Sequence, residues 1–191
     1  MKIRGPGESP ILLLKIIKLL NKLRIPYAIV GAFAASFYGL VRASLDADAI
    51  ISIGREKGKL DQLMILLKKE NLKTEIRQGN SQDPIRCVIN IEDKFKNRVD
   101  LLIGISGMGE DVFDRIMTAS FLKNKVKIVG IEDFIAMKIF AGNAKDIQDV
   151  IGVFQVSVKK INIPLLKKLT LNYGKKELNK LEGIMKKLSR D

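Results

Sequence analysis

Apolar residues recur along the chain in two patterns, one with a helical period and one typical of short buried strands. The first apolar run, Ile11–Leu20, is interrupted by Lys15 and Lys18 and followed by Lys22. These three lysines have helical spacing and form one polar stripe. This pattern predicts an amphipathic helix near the amino terminus. Ser9 precedes the run and is well placed to cap the helix.

Later segments predict alternating strands and helices. Short apolar or alternating runs predict strands over 27–30, 47–53, 85–91, 98–103 and 125–129. Helical spacing predicts helices over 32–38, 56–71, 110–118, 131–142, 145–157, 164–173 and 175–189. Because strands dominate up to about residue 130, we expect an α/β (α+β) core over 1–130, which includes the first helix. A helical segment over 131–191 would pack on that core.

Composition excludes several classes of chemistry. The 191-residue chain contains no histidine and one cysteine, Cys87. Histidine-dependent catalytic triads, histidine-liganded zinc, thiolate clusters and internal disulfides are therefore excluded. No apolar run reaches the ~18 residues of a membrane span, and no small-residue cleavage site follows the first helix. We expect a cytoplasmic protein without a membrane segment.

The positive charge is concentrated at the two ends of the chain. The net charge is +13, of which residues 1–30 carry +5 (six basic, one acidic) and residues 159–191 carry +7 (ten basic, three acidic). The body, 31–158, holds 18 basic and 17 acidic residues. A basic surface of this kind attracts polyanions such as RNA. Solvated helix faces that keep the protein soluble explain the same lysines equally well.

One segment, Gly31 to Asp48 (GAFAASFYGLVRASLDAD), carries most of the candidate chemistry. Asp46 and Asp48 lie two apart at a strand start, so both carboxylates point the same way and can bind one divalent cation. Gly31 opens a helix whose free N–H groups could hold phosphate, and the Arg42 guanidinium could bind phosphate through two hydrogen bonds. Asp100 lies on a strand that could run beside the first pair. Three carboxylates in one cleft suit Mg²⁺-assisted phosphoryl or nucleotidyl transfer.

Each of these acids also has an ordinary structural explanation. Asp-x-Asp at a strand start is common turn chemistry, and an Asp within Val99–Leu102 could be a charge on an edge strand. The order Gly, Arg, paired Asp and lone Asp nevertheless favours a functional site.

The same order of residues resembles the nucleotidyltransferase fold of the DNA polymerase β superfamily. The resemblance is to its short prokaryotic members, the AbiEii-type toxin relatives and minimal nucleotidyltransferases. It extends to residues 131–138 (IEDFIAMK) and 145–149 (KDIQD), which look like the Glu-Asp helix with a Lys and the Lys-Asp-x-x-Asp helix of that group. It covers about residues 27–154 and implies a mixed β-sheet flanked by helices, with a C-terminal helical segment.

The resemblance implies a metal-dependent reaction with a nucleoside triphosphate (NTP). Asp46, Asp48 and Asp100 would bind Mg²⁺ or Mn²⁺, the first two bridging it to the triphosphate. Asp100 would help to deprotonate the acceptor, while Arg42 and Lys138 would neutralise phosphate charge.

The resemblance also implies the rest of the nucleotide site, with one departure. Gly31 and its helix, including Ala32, would hold the triphosphate, and Lys138 and Asp146 would complete the site. The family usually has Gly or Ser after the first Gly, and Ala32 keeps the backbone N–H but lacks a hydroxyl. Ser36, one turn further on, would contribute its hydroxyl to nucleotide binding in place of the missing one.

Helical geometry gives an independent expectation for Lys138. On an ideal helix it falls among Ile131, Phe134 and Ile135, on the most apolar face. A lysine there must either extend its ammonium to solvent or meet an anion, because burying it unpaired is unfavourable. A phosphate or Asp146 would serve as that anion.

The sequence thus predicts an enzyme that moves a nucleotide from an NTP to a hydroxyl. The basic ends make RNA, tRNA included, a candidate acceptor, and a protein hydroxyl, as in toxin–antitoxin systems, is another. The alternative is an inactive module of the same fold that binds nucleic acid or a protein partner, which Ala32 and the basic ends favour.

Overall fold

The computed structural model of the chain describes residues 2–40, 44–54 and 58–189. These residues form seven strands: β1 Tyr27–Val30, β2 Asp46–Ile51, β3 Lys73–Gln78, β4 Ile85–Glu92, β5 Arg98–Ile105, β6 Met117–Phe121 and β7 Asn124–Ile128. They also form seven α-helices: α1 Ser9–Lys22, α2 Gly31–Phe37, α3 Lys59–Lys69, α4 Ile131–Ala141, α5 Ala144–Ser157, α6 Ile163–Tyr173 and α7 Lys175–Leu188. Short 3-10 segments lie at Glu110–Asp114 and Val158–Lys160.

All seven strands belong to one mixed sheet in the order β3-β4-β5-β2-β1-β7-β6. The pairs β2–β5 and β1–β7 are parallel, and the other neighbours are antiparallel. The α/β fold class expected from the sequence is therefore confirmed.

Buried and half-buried residues alternate along β5, so one face of the sheet lies against the core and the other lines a cleft. Val99, Leu101 and Ile103 are buried, whereas Asp100 and Leu102 are half-buried. Helix α1 packs on β2 and β5, and α3 packs on β3 and on α1. The four C-terminal helices pack on one another, with α4 in contact with α5, α6 and α7. The opposite sides of β4 and β5 are thus left to line a cleft with α4.

Two local predictions are wrong, and strands β3 and β6 were not predicted. Ser9 is the first residue of α1, whose N-cap is Glu8; its hydroxyl donates to the Leu45 carbonyl and accepts from the Arg98 N–H at 3.0 Å. Ser9 therefore joins α1 to the strands. The helix expected over 110–118 is a 3-10 segment that gives way to β6, because β6 pairs with β7. Strand β3 was not predicted, because it lies at the sheet edge and its residues are mostly exposed.

None of the helices within the described ranges is both long and apolar enough to cross a membrane.

Candidate active site

The register of the sheet brings the predicted acids onto neighbouring strands. On β2, Asp46 and Asp48 are half-buried and alternate with the fully buried Ala47 and Ala49, so the two carboxylates lie on one face. Strand β5 runs parallel to β2 with Asp100 opposite Asp48. The prediction that the Asp100 strand lies beside the Asp46–Asp48 pair is confirmed.

Gly31 lies directly against the Asp48 carboxylate. Strand β1 is antiparallel to β2 with Val30 opposite Asp48, and the chain then turns into α2 at Gly31 with φ of +66°. A Cβ at position 31 would lie 2.2 Å from Oδ2 of Asp48. Glycine is required here both by the backbone angle and by the close approach of the carboxylate.

The half-buried Asp48 carboxylate has no hydrogen-bond donor among the residues that the structure describes. Burial raises the pKa of Asp48 to about 6, and the charges of Asp100 and Asp46 add to this effect. Lys138 and Arg98 act in the opposite direction but do not cancel it. The negative charge of Asp48 is thus poorly compensated, and a bound cation would relieve its repulsion by Asp46 and Asp100.

Asp100 is already paired. The Arg98 guanidinium donates from Nε to Oδ1 and from Nη2 to Oδ2 of Asp100, each at 2.9 Å. Nδ2 of Asn90, on β4, donates to the same Oδ1 at 2.8 Å. The Asp100 carboxylate raises the pKa of Arg98, because it stabilises the charged guanidinium. Arg98 was not predicted as a site residue, although its position two residues before Asp100 on one strand indicates a shared face.

Lys138 is buried between two carboxylates of α5. Its ammonium Nζ lies 2.5 Å from Oδ1 of Asp146 and 2.9 Å from Oδ2 of Asp149. The expectation that Lys138 meets an anion is confirmed, but the second partner, Asp149, was missed. The helices meet at a tight corner where Gly142 is left-handed and Asn143 caps α5 by accepting from the Asp146 N–H.

The start of α4 is anchored separately. Nε and Nη2 of Arg115 donate to the two carboxylate oxygens of Asp133, each at 2.8 Å. Arg115 also pairs with Asp111 at 2.6 Å. This network fixes the helix that carries Lys138 against the segment after β5.

A cleft of about 670 Å³ lies between these elements. Five predicted site residues line it: Gly31, Asp48, Asp100, Lys138 and Asp146. Three others do not: Asp46, the buried Ala32, and Ser36, whose hydroxyl donates to the Phe33 carbonyl. Arg42 lies outside the described residues.

The donor chemistry of the aspartates suits a hard cation, but the arrangement is not a closed metal site. In the three described ranges, no group of three or more His, Cys, Asp and Glu side chains is placed to hold a metal ion. Mg²⁺ usually binds proteins through one or two carboxylates together with substrate phosphates. Asp46 and Asp48 fit that requirement. Asp100 accepts two hydrogen bonds at Oδ1 and one at Oδ2, so a lone pair of Oδ2 is still available to a cation.

The fold is that of the nucleotidyltransferases. Three solved structures are similar to this chain over most of its length, although their sequence identity to it is low. An antigenic nucleotidyltransferase-like protein from Paracoccidioides brasiliensis is 18% identical with a TM-score of 0.53, over 95% of this chain and 94% of its own. ANT(2'')-Ia in complex with adenylyl-2''-tobramycin is 11% identical with a TM-score of 0.57, over 85% and 94%. The lincosamide antibiotic adenylyltransferase LnuA is 9% identical with a TM-score of 0.51, over 81% and 100%.

No family model matches the chain, and no curated protein matches it either.

Proposed function

We propose that this protein is a nucleotidyltransferase that uses Mg²⁺ or Mn²⁺ to move a nucleotide from an NTP to a hydroxyl acceptor. The observation that carries the proposal is the poorly compensated Asp48 carboxylate, held against Gly31 and opposite Asp100 in a cleft that also contains Lys138. The fold supports it, since similar structures include the lincosamide antibiotic adenylyltransferase LnuA and ANT(2'')-Ia in complex with adenylyl-2''-tobramycin.

In this proposal Asp46 and Asp48 would hold the metal, which would supply positive charge to the triphosphate. The bound metal would neutralise charge that develops on the phosphates. An acceptor oxygen forms a bond to the α-phosphorus, while the bond from that phosphorus to pyrophosphate breaks. Lys138 has three N–H donors, of which Asp146 and Asp149 take two, so the third is available to a phosphate oxygen.

Asp100 is assigned to the acceptor. Its carboxylate would take up or orient the proton of the attacking hydroxyl once Arg98 releases it. RNA, tRNA included, and a protein hydroxyl are the macromolecular acceptors to test. A toxin–antitoxin role stays a prediction of the sequence resemblance.

A second candidate is a non-catalytic module of the same fold that binds nucleic acid or a protein partner. The specific observation in its favour is that both Asp100 oxygens are occupied by Arg98 and that Lys138 is held by two carboxylates. Such a module would bind its partner without any transfer.

A label-transfer assay separates the two candidates. The protein would be incubated with Mg²⁺ or Mn²⁺, each α-labelled NTP in turn, and total RNA. Wild type is expected to place label in the RNA or in the protein itself. Asp48→Asn should abolish transfer, because it removes a metal ligand without changing side-chain volume.

Asp61→Asn is the matched control, since Asp61 is exposed in the first turn of α3. It should transfer label as wild type does. If wild type transfers nothing with any NTP in either metal, while RNA binds wild type and Asp48→Asn equally, the enzyme proposal is wrong and the binding module replaces it.

A further inference from the structure

The cleft continues well beyond the aspartates. Its far part, which we call the apolar slot, is formed by Val88 of β4, Leu102 and Ile105 of β5, and Met137 and Phe140 of α4. Val88 lies opposite Leu102 in the sheet, and Leu102 follows Asp100 by two residues on the same face. An apolar wall therefore begins directly beside Asp100.

The order of the strands, taken with the proposed function, assigns the slot to one of the two substrates. From Gly31 on the β1 side, the cleft passes Asp48 on β2 and Asp100 on β5, and then reaches β4 and β3. In the proposed function, Asp48 holds the triphosphate through the metal, and Asp100 faces the acceptor. The slot lies on the acceptor side of Asp100, away from Gly31.

The slot is suited to a small molecule. A cleft of about 670 Å³ that includes the catalytic end lies within the usual size of small-molecule sites, which have apolar walls and few polar groups. Single-stranded nucleic acid is usually bound in a basic groove with successive aromatic platforms. The slot has one ring, Phe140, which already packs on Tyr173 with 4.8 Å between ring centroids.

A guanidinium marks the outer end of the slot. Arg77 lies on edge strand β3 opposite Val88, is exposed, and lines the cleft. Its guanidinium forms no hydrogen bond or ion pair with any residue in the described part of the chain. Two strand spacings of about 4.8 Å separate Leu102 from Arg77 across the sheet. The site therefore presents Asp100, an apolar surface that begins at Leu102 two residues along β5, and then a cation about 10 Å from Leu102 across the sheet.

We propose that the acceptor is a small hydroxylated molecule with an apolar body and an anionic group, carboxylate or phosphate, at the end remote from the hydroxyl. This inference rests on the proposed function. The hydroxyl would lie at Asp100, the apolar body between the sheet and α4, and the anion at Arg77. A polycationic acceptor would be repelled by Arg77.

Three matched probes test this without metal or nucleotide. They share a hydroxymethylphenyl body and differ in the remote group: 4-(hydroxymethyl)benzoate is anionic, 4-methylbenzyl alcohol is neutral and 4-(aminomethyl)benzyl alcohol is cationic. Dissociation constants would be measured by NMR titration of the wild-type chain. The benzoate should bind about tenfold more tightly than the cationic probe, because one charge-assisted pair is gained and one repulsion is avoided.

Two variants locate the binding. Arg77→Gln should remove the preference for the benzoate and leave the affinity of the neutral probe unchanged. Arg86→Gln is the matched control, because Arg86 is exposed on the neighbouring strand but lies outside the cleft lining. It should keep the preference. Met137→Gln, which places an amide in the apolar wall, should weaken the benzoate and neutral probes equally, and Met137→Leu should restore them.

Several outcomes would overturn the proposal. Equal affinities for the three probes would show that the acceptor needs no anionic group. The same effect of Arg77→Gln and Arg86→Gln would show that Arg77 does not bind one. Competitive displacement by ATP in EDTA would assign the slot to the nucleobase, and displacement by a short RNA would assign it to a polymeric acceptor. Because these are binding measurements, they can fail while label transfer to RNA succeeds, and the reverse also holds.

Discussion

At the scale of single residues, the ionised Asp48 carboxylate lowers the stability of the fold, although the proposed function requires it. Its pKa of about 6 against an ordinary 3.8 means that the folded protein retains this proton at a pH where the unfolded chain has lost it. The contribution of Asp48 to stability is therefore greatest below about pH 4 and is lost as the pH rises to about 6. Above that pH, Asp48 carries a half-buried charge that no donor within residues 2–40, 44–54 and 58–189 compensates by a hydrogen bond.

Asp48→Asn should accordingly stabilise the protein at neutral pH while it abolishes transfer. We expect the free energy of unfolding at pH 7.5 to rise by about 1–3 kcal/mol, from the two pKa values above. At pH 4 the gain should nearly vanish. Urea denaturation of both proteins in EDTA at the two pH values measures this. A variant less stable than wild type at pH 7.5 would show that Asp48 is well compensated in the fold.

Gly31→Ala tests the contact between the α2 turn and Asp48. The added Cβ would lie 2.2 Å from Oδ2 of Asp48, at a φ of +66° that alanine adopts with strain. We expect the free energy of unfolding to fall by at least about 1 kcal/mol and transfer to fall with it, because the carboxylate must move.

Gly183→Ala supplies the comparison for that variant. Gly183 lies within α7, and a Cβ there meets nothing within 4 Å. This change should stabilise the protein by roughly 0.5–1 kcal/mol and leave transfer unchanged. If the two alanine variants behaved alike, the contact at Gly31 would have no energetic importance.

At the scale of secondary-structure elements, α4 and α5 are joined by a buried cluster of one lysine and two carboxylates. Lys138→Met would leave Asp146 and Asp149 buried without their cation. Removing one member of a buried ion pair costs about 3–5 kcal/mol, so we expect a loss of that order in the free energy of unfolding. Denaturant unfolding monitored by circular dichroism measures it.

The variant that combines Lys138→Met with Asp146→Asn and Asp149→Asn separates charge from packing. It should recover most of the lost stability, because no uncompensated charge remains. A combined variant as unstable as Lys138→Met alone would mean that the lysine acts through packing of its aliphatic chain. Transfer should be lost in both variants.

The sequence was most informative where a pattern acts locally. The alternation of apolar residues over 85–91 and the apolar run over 27–30 predicted strands β4 and β1, because each strand buries one or both faces. Strand β3, with the sequence KTEIRQ, has no such pattern, because it is an exposed edge strand held by pairing with β4. Its residue Arg77 was therefore missed as well.

The candidate site shows the same limit. The spacing of Asp46 and Asp48 follows from strand geometry, and helix geometry indicated that Lys138 needs either solvent or an anion. The pairing of Arg98 with Asp100 depends on side-chain rotamers. The contact of Asp149 with Lys138 depends on how α4 and α5 pack. Single-sequence patterns carry no information on these choices.

At the scale of the whole molecule, the charge distribution separates the ends of the chain from the site. The last 33 residues carry a net charge of +7, whereas residues 31–158 carry +1. Exposed lysines on α7 supply part of that charge: Lys175, Lys176, Lys186 and Lys187. If RNA binds this protein through its ends, the interaction is an electrostatic one that depends on salt and not on the aspartates.

Replacing the four α7 lysines by glutamine should therefore weaken RNA binding and leave transfer to a small acceptor unchanged. The slope of log K against log salt should become shallower by roughly 0.7 per contact removed, if each lysine neutralises one phosphate of a single strand. Fluorescence anisotropy with a labelled single-stranded RNA at several salt concentrations measures it. Four exposed lysines of the body, Lys68, Lys69, Lys94 and Lys123, give a control variant with the same loss of charge. Equal effects of the two variants would show that RNA responds to net charge alone, which would leave the α7 lysines a role in solubility.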